Sequence, residues 1–146
     1  MMPHARRSAP LPVLLLLLVL PLAVSAGEPE DFKAIADLLH LGVNRSALNR
    51  CKLYLTRYPD GARRAQVAAW GGALALRAGH PDEALPLLEE ALATGPVEDP
   101  VALRLDRAQA LEELGLPAEA LEALQGLEPG DEAAQASQLG LNLHRC

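Results

Sequence analysis

Between residues 65 and 98 the small and apolar side chains return at helical spacing. Val67, Gly71, Gly72, Leu74, Ala75 and Ala78 form one stripe, and Ala84, Leu85, Leu88, Ala91 and Leu92 form another. Gly79 lies between them, so the stretch predicts two antiparallel helices that reverse at that glycine. A pair this short cannot bury both its own seam and its outer faces, which calls for similar neighbours on either side. Upstream, Phe32, Ala34, Ile35, Leu38, Leu39 and Leu41 share a broad face that closes at Gly42. The next helix turns Ala47, Leu48, Cys51, Tyr54 and Leu55 inward and Arg45, Arg50, Lys52 and Arg57 outward, and Pro59-Asp60-Gly61 ends it. No run of alternating β-branched and aromatic residues marks a strand.

The pattern repeats in register. Gly42, Gly79 and Gly115 are each followed five residues later by Ala47, Ala84 and Ala120, and the glycines stand 37 and 36 residues apart. Glycine permits the reversal, and the small residue beyond it lets two helices approach closely. The expected fold is therefore all-α, an α-solenoid of three hairpins at about 28–61, 65–98 and 101–134 within a domain spanning 27–146. The segment DEAAQASQLGLNLHRC at 131–146 places Ala133, Ala136, Leu139, Gly140 and Leu143 on one side. It reads as a cap over the open edge or as the first helix of a fourth unit.

These positions resemble the tetratricopeptide repeat. In the central unit Gly72, Ala84, Leu88, Ala91 and Pro96 fall on the family's glycine, alanine, large apolar, alanine and proline positions. Ala47, Cys51, Tyr54 and Pro59 match in the first unit, and Ala108, Ala120 and Leu124 in the third. The chain departs from the pattern where Ala68 takes the first aromatic position with Trp70 two places on, where Arg107 takes a usually apolar one, and where Pro86 lies inside a second helix and should kink it. Residues 54–72, YLTRYPDGARRAQVAAWGG, are similar to bacterial cell-envelope members of the family, of the Tol-Pal-associated and outer-membrane-assembly type.

Ahead of the repeats, residues 1–26 carry Arg6 and Arg7, an apolar run from Leu11 to Val24, and small residues at Val24 and Ala26. They read as a cleaved signal peptide, the run being shorter than the ~20 residues a membrane-spanning helix needs. Periplasmic export is the expectation and secretion the alternative. Loss of the segment moves the formal charge from −6 to −8, since it holds two Arg and no acid. What remains is polarised: residues 28–64 carry +2 and residues 65–146 carry −10. The acidic total, without a basic stripe interleaved with aromatics, disfavours nucleic acid as a partner.

Candidate chemistry is sparse. His40, His80 and His144 lie one per unit with no i, i+4 pair and no HExxH, so neither metal nor cofactor is expected. Asp82-Glu83, Glu89-Glu90 and Glu112-Glu113 are adjacent acids that diverge on a helix, and no GxSxG or phosphate loop occurs, so no catalytic residue is expected. Cys51 reads as a buried thiol on its apolar stripe, and Cys146 as a residue able to bridge two chains. The resemblance implies a concave groove built by the first helix of each unit. Its lining here would be Phe32, Ala36, Leu39, His40, Gln66, Ala69, Ala73, Leu76, Arg77, Leu105, Gln109, Glu112 and Glu113, with Phe32 and Leu76 as apolar anchors. Where relatives of the family clamp a carboxylate, this chain has Phe32, Ala36, Trp70, Ala102 and Asp106, so carboxylate capture there is not expected. The expected function is a non-catalytic adaptor binding an envelope protein or peptide. The alternative is a scaffold that self-associates through its C-terminal edge or through Cys146.

Overall fold

Six helices follow one another in a computed structural model that describes residues 27–127. They are α1 (Glu28–His40), α2 (Asn44–Arg57), α3 (Arg64–Arg77), α4 (Pro81–Thr94), α5 (Pro100–Glu113) and α6 (Pro117–Leu124). The expected signal peptide at 1–26 and the expected cap at 131–146, with His144 and Cys146, lie outside the described residues. Among the described residues there is no strand. Each helix packs on its neighbours in sequence order, and α5 touches α3 as well as α4. The result is an α-solenoid of three hairpins, α1–α2, α3–α4 and α5–α6.

The three hairpins turn in the same way. Gly42, Gly79 and Gly115 take φ of 70°, 79° and 79°, a conformation that costs any residue with a Cβ. Around Gly79, the Gly79 N–H bonds back to the Leu76 carbonyl at 2.9 Å and the His80 N–H to the Ala75 carbonyl at 3.0 Å. Gly42 with Val43 and Gly115 with Leu116 repeat both bonds. Each first helix thus ends in a Schellman motif, and the residue after the glycine starts the second helix. Proline enters the first turns of α1, α4, α5 and α6, where its missing N–H has no intrahelical partner to lose. Asp99 adds a side-chain cap to α5, accepting from the Ala102 N–H at 2.9 Å.

The core runs from Ile35 of α1 through Cys51, Tyr54, Val67, Leu74 and Leu88 to Leu103 and Ala110 of α5. A smaller cluster of Ala108, Leu111, Ala120 and Ala123 joins α5 to α6, and Leu85 packs against both. At the centre is α3, buried on nearly every side through Ala65, Val67, Ala68, Gly71, Gly72, Leu74, Ala75 and Leu76. Its small side chains admit close neighbours. A Cβ on Gly72 would stand 2.5 Å from Leu88 Cγ of α4, and one on Gly71 would stand 3.4 Å from Cys51 Cβ of α2.

Polar contacts join the hairpins. Arg64 of α3 donates to the Leu55 and Tyr58 carbonyls, at 2.6 and 3.1 Å, and so satisfies the exposed end of α2. The same guanidinium pairs with Glu90 of α4 at 2.5 Å. At the far end of the first hairpin, Asp31 accepts from the Tyr58 hydroxyl and from Arg57, both at 2.8 Å. The Tyr58 hydrogen bond, and then Arg57, hold the Asp31 carboxyl below its ordinary range.

Three stripe residues depart from expectation. Leu41 is 74% exposed because it lies past the last turn of α1, and Ala78 and Leu92 are exposed because no described helix covers their faces. Pro86 lies inside α4, as the sequence places it, with its ring exposed to solvent. Arg107 is accommodated as a half-buried cation 3.3 Å from Glu89.

Candidate functional site

The residues expected to line one groove occupy three environments. Phe32 is engaged within the fold. Its ring stacks on Trp70 of α3, with centroids 5.0 Å apart and planes 24° from parallel, and the Arg63 guanidinium carbon lies 4.5 Å from its centroid. This aromatic seam carries much of the link between α1 and α3. Ala36, Leu39, Ala69, Ala73 and Leu105 are half-buried, whereas His40, Arg77, Gln109, Glu112 and Glu113 are exposed.

Two of the expected lining residues belong to the interior. Leu76 is 6% exposed and part of the main core, so it is not an anchor offered to a ligand. The cause is crowding: α2, α4 and α5 all lie against α3. Gln66 is also buried, and its Oε1 accepts the Glu98 N–H at 2.7 Å, fixing the loop between α4 and α5.

The C-terminal part of the expected lining does come together, in company the sequence reading left out. Leu105, Gln109 and Glu112 of α5 face Pro117, Ala120, Leu121 and Leu124 of α6 across a groove of about 650 Å³, with Ala108 at its base. Leu121 is 69% exposed, a large apolar residue open to water at the rim. Most of its lining is apolar, with Gln109 and Glu112 on the α5 side, and Gln109 donates to Glu113 at 2.8 Å. Leu105 neighbours Asp106, whose carboxyl is pushed up by burial despite the favourable charge of Arg77. Apolar walls with an acidic margin suit an amphipathic helix bearing basic flanks.

Leu124 falls on a repeat position, but nothing in the sequence marks Pro117, Leu121 or Leu124 as groove residues. Their exposure follows from which helix lies next to them, and periodicity does not encode that. Among the described residues no group of three His, Cys, Asp or Glu side chains could hold a metal ion, and no helix is long and apolar enough to cross a membrane. Cys51 is buried, and burial pushes its thiol up to about 12, which removes it from nucleophilic chemistry in the folded chain. Comparison with protein-family models, with curated proteins and with solved structures finds no match to this chain.

Proposed function

We propose that the chain is an exported, non-catalytic protein-interaction adaptor, and that the α5–α6 groove receives an amphipathic helix of a partner. The observation that carries this reading is the mostly apolar groove of about 650 Å³ on the last described hairpin. Earlier in the array the corresponding place is taken by a helix, since α5 lies against both α3 and α4. A helix seated on α5 and α6 continues that packing. Charge narrows the partner: residues 65–146 carry a formal −10, which favours basic residues beside the apolar stripe of the incoming helix. The repeat spacing that resembles tetratricopeptide proteins, and the signal-like residues 1–26, support an envelope location.

A photo-crosslinking residue in place of Leu121 in the full mature chain tests the groove, because residues 131–146 then compete on equal terms. An adduct to a basic amphipathic segment of another protein, lost in Leu105→Glu and Leu124→Glu variants of unchanged helicity, supports the adaptor. An adduct within residues 131–146 of the same chain overturns it and makes the segment a cap. A second reading, self-association through this edge, is favoured by the exposure of Leu114, Leu116 and Leu121 at the same end of the array. An adduct between two copies would establish it.

A further inference from the structure

A second cavity, of about 450 Å³, lies where the first turns of α2, the last turn of α3 and the start of α4 meet. Its floor is apolar, made by the buried Leu48 and Leu74. Its walls are cationic. Arg45, Lys52 and Arg77 line it, and Glu83 is the one carboxylate among the lining residues. Glu83 is paired with Lys52 at 2.5 Å, whereas Arg45 has no acidic partner among the described residues. Asp106 acts on Arg77 from α5 without lining the cavity. Asn44, Asn49 and His80 complete the wall with groups that can donate hydrogen bonds. In a chain of formal charge −6, such a concentration of positive charge over an apolar floor runs against the overall field.

We propose that this cavity binds a phosphate group carried by a small molecule or a headgroup. Three fixed cations and one carboxylate leave the lining with a formal +2, which a phosphate monoester of charge about −2 neutralises and a single carboxylate does not. The guanidinium forks of Arg45 and Arg77 match phosphate oxygens in geometry as well as charge. The volume lies within the ~300–1,000 Å³ of small-molecule sites and exceeds what a bare phosphate ion fills, and Leu48 and Leu74 offer apolar surface to the rest of the ligand. This site is separate from the α5–α6 groove and stands or falls apart from it.

The test is titration of the full mature chain with glycerol 1-phosphate, followed by amide chemical shifts. The expected result is saturable binding at one site, with shifts confined to residues around 44–52 and 74–83. Arg45→Gln and Arg77→Gln each weaken it about tenfold, as loss of one charge-assisted contact does. Both side chains are exposed, so unchanged circular dichroism confirms that the variants fold. A parallel flotation with vesicles of phosphatidic acid, against phosphatidylcholine alone, distinguishes the two sources. Binding to vesicles but not to the free ester identifies a headgroup, and binding to the ester identifies a soluble ligand. No shifts, shifts that spread over the chain without saturating, or shifts that persist in both variants, together with equal flotation on the two kinds of vesicle, overturn the proposal.

Discussion

Gly71 and Gly72 are neighbours in one helix, yet a methyl group should act oppositely at the two. At Gly72 the added Cβ would stand 2.5 and 2.6 Å from Leu88 Cγ and Cδ2 and 3.3 Å from the Ala84 carbonyl oxygen. Leu88 is fully buried and has nowhere to withdraw. Overpacking of this kind costs about 1–3 kcal/mol, against a gain of about 1 kcal/mol in helix propensity. Gly72→Ala is therefore expected to destabilise the chain by up to about 2 kcal/mol. At Gly71 the nearest atoms are at 3.4 and 3.5 Å, ordinary contact, so Gly71→Ala should be neutral or stabilising by up to about 1 kcal/mol. Urea denaturation of both variants checks the pair, and an equal effect of the two would show that helix propensity alone governs α3.

Asp106 gives a second residue-scale prediction, with the sign set by its surroundings. Burial raises its folded pKa above the unfolded value, so the ionised form is penalised in the fold. Its favourable contribution is complete below the unfolded pKa and is lost as pH rises through the folded one. Asp106→Asn should accordingly raise the urea midpoint at pH 7, and the gain should vanish at about pH 3, where the wild-type carboxyl is protonated in both states. Asp31 has the opposite sign. Its lowered pKa, set by Tyr58 and then Arg57, makes a contribution present above the unfolded value and lost as pH falls through the folded one. Asp31→Asn should therefore lower the midpoint at pH 7 and approach wild type in acid.

Among the elements, the joint between the first and second hairpins includes a polar side chain that carries no repeat signal. Arg64 closes the end of α2 through two carbonyls and meets Glu90 of α4, so it touches three helices at once. Arg64→Met keeps the aliphatic stem and removes the donors, leaving two carbonyls and a partly buried carboxylate without them. The expected cost is about 2–3 kcal/mol by thermal or urea unfolding, and Arg64→Lys should recover less than half because an ammonium lacks the fork. A loss below about 0.5 kcal/mol would show that water replaces the guanidinium at no cost. Long-range polar joints of this kind are illegible in a sequence, since nothing in the spacing of positions 64 and 90 links them. The hairpins themselves were legible, because glycine at 42, 79 and 115 and alanine five residues later are local requirements of the turn and of the helix crossing. Leu76 shows where local reasoning stops. Its register placed it in the lining of the groove, but burial on α3 is decided by how many helices surround it, and three do. Leu121 is the converse case, an apolar residue of ordinary core character that the last described hairpin leaves at the surface.

For the molecule as a whole, linear stacking makes stability a matter of neighbours, and this predicts a gradient along the chain. The central hairpin has packed helices on both sides: α3 contacts α2, α4 and α5, and nine of its residues are buried. By contrast, α6 has eight residues, of which Ala120 and Ala123 are buried, and Leu121 is open to water. Local opening of α6 exposes little apolar surface, whereas opening of α3 breaks the core on three sides. Native-state hydrogen exchange should therefore find the slowest amides at Val67 to Ala75 and Ala84 to Ala91, close to the global unfolding limit. Those of α6 should exchange faster by about two orders of magnitude or more, which corresponds to about 3 kcal/mol of local stability difference. A helix seated in the α5–α6 groove would slow α6 selectively, because it buries Leu105, Leu121 and Leu124 without touching the central seam. Equal protection of α3 and α6 in the isolated monomer would mean that the array unfolds as one cooperative unit and that its C-terminal groove is already filled.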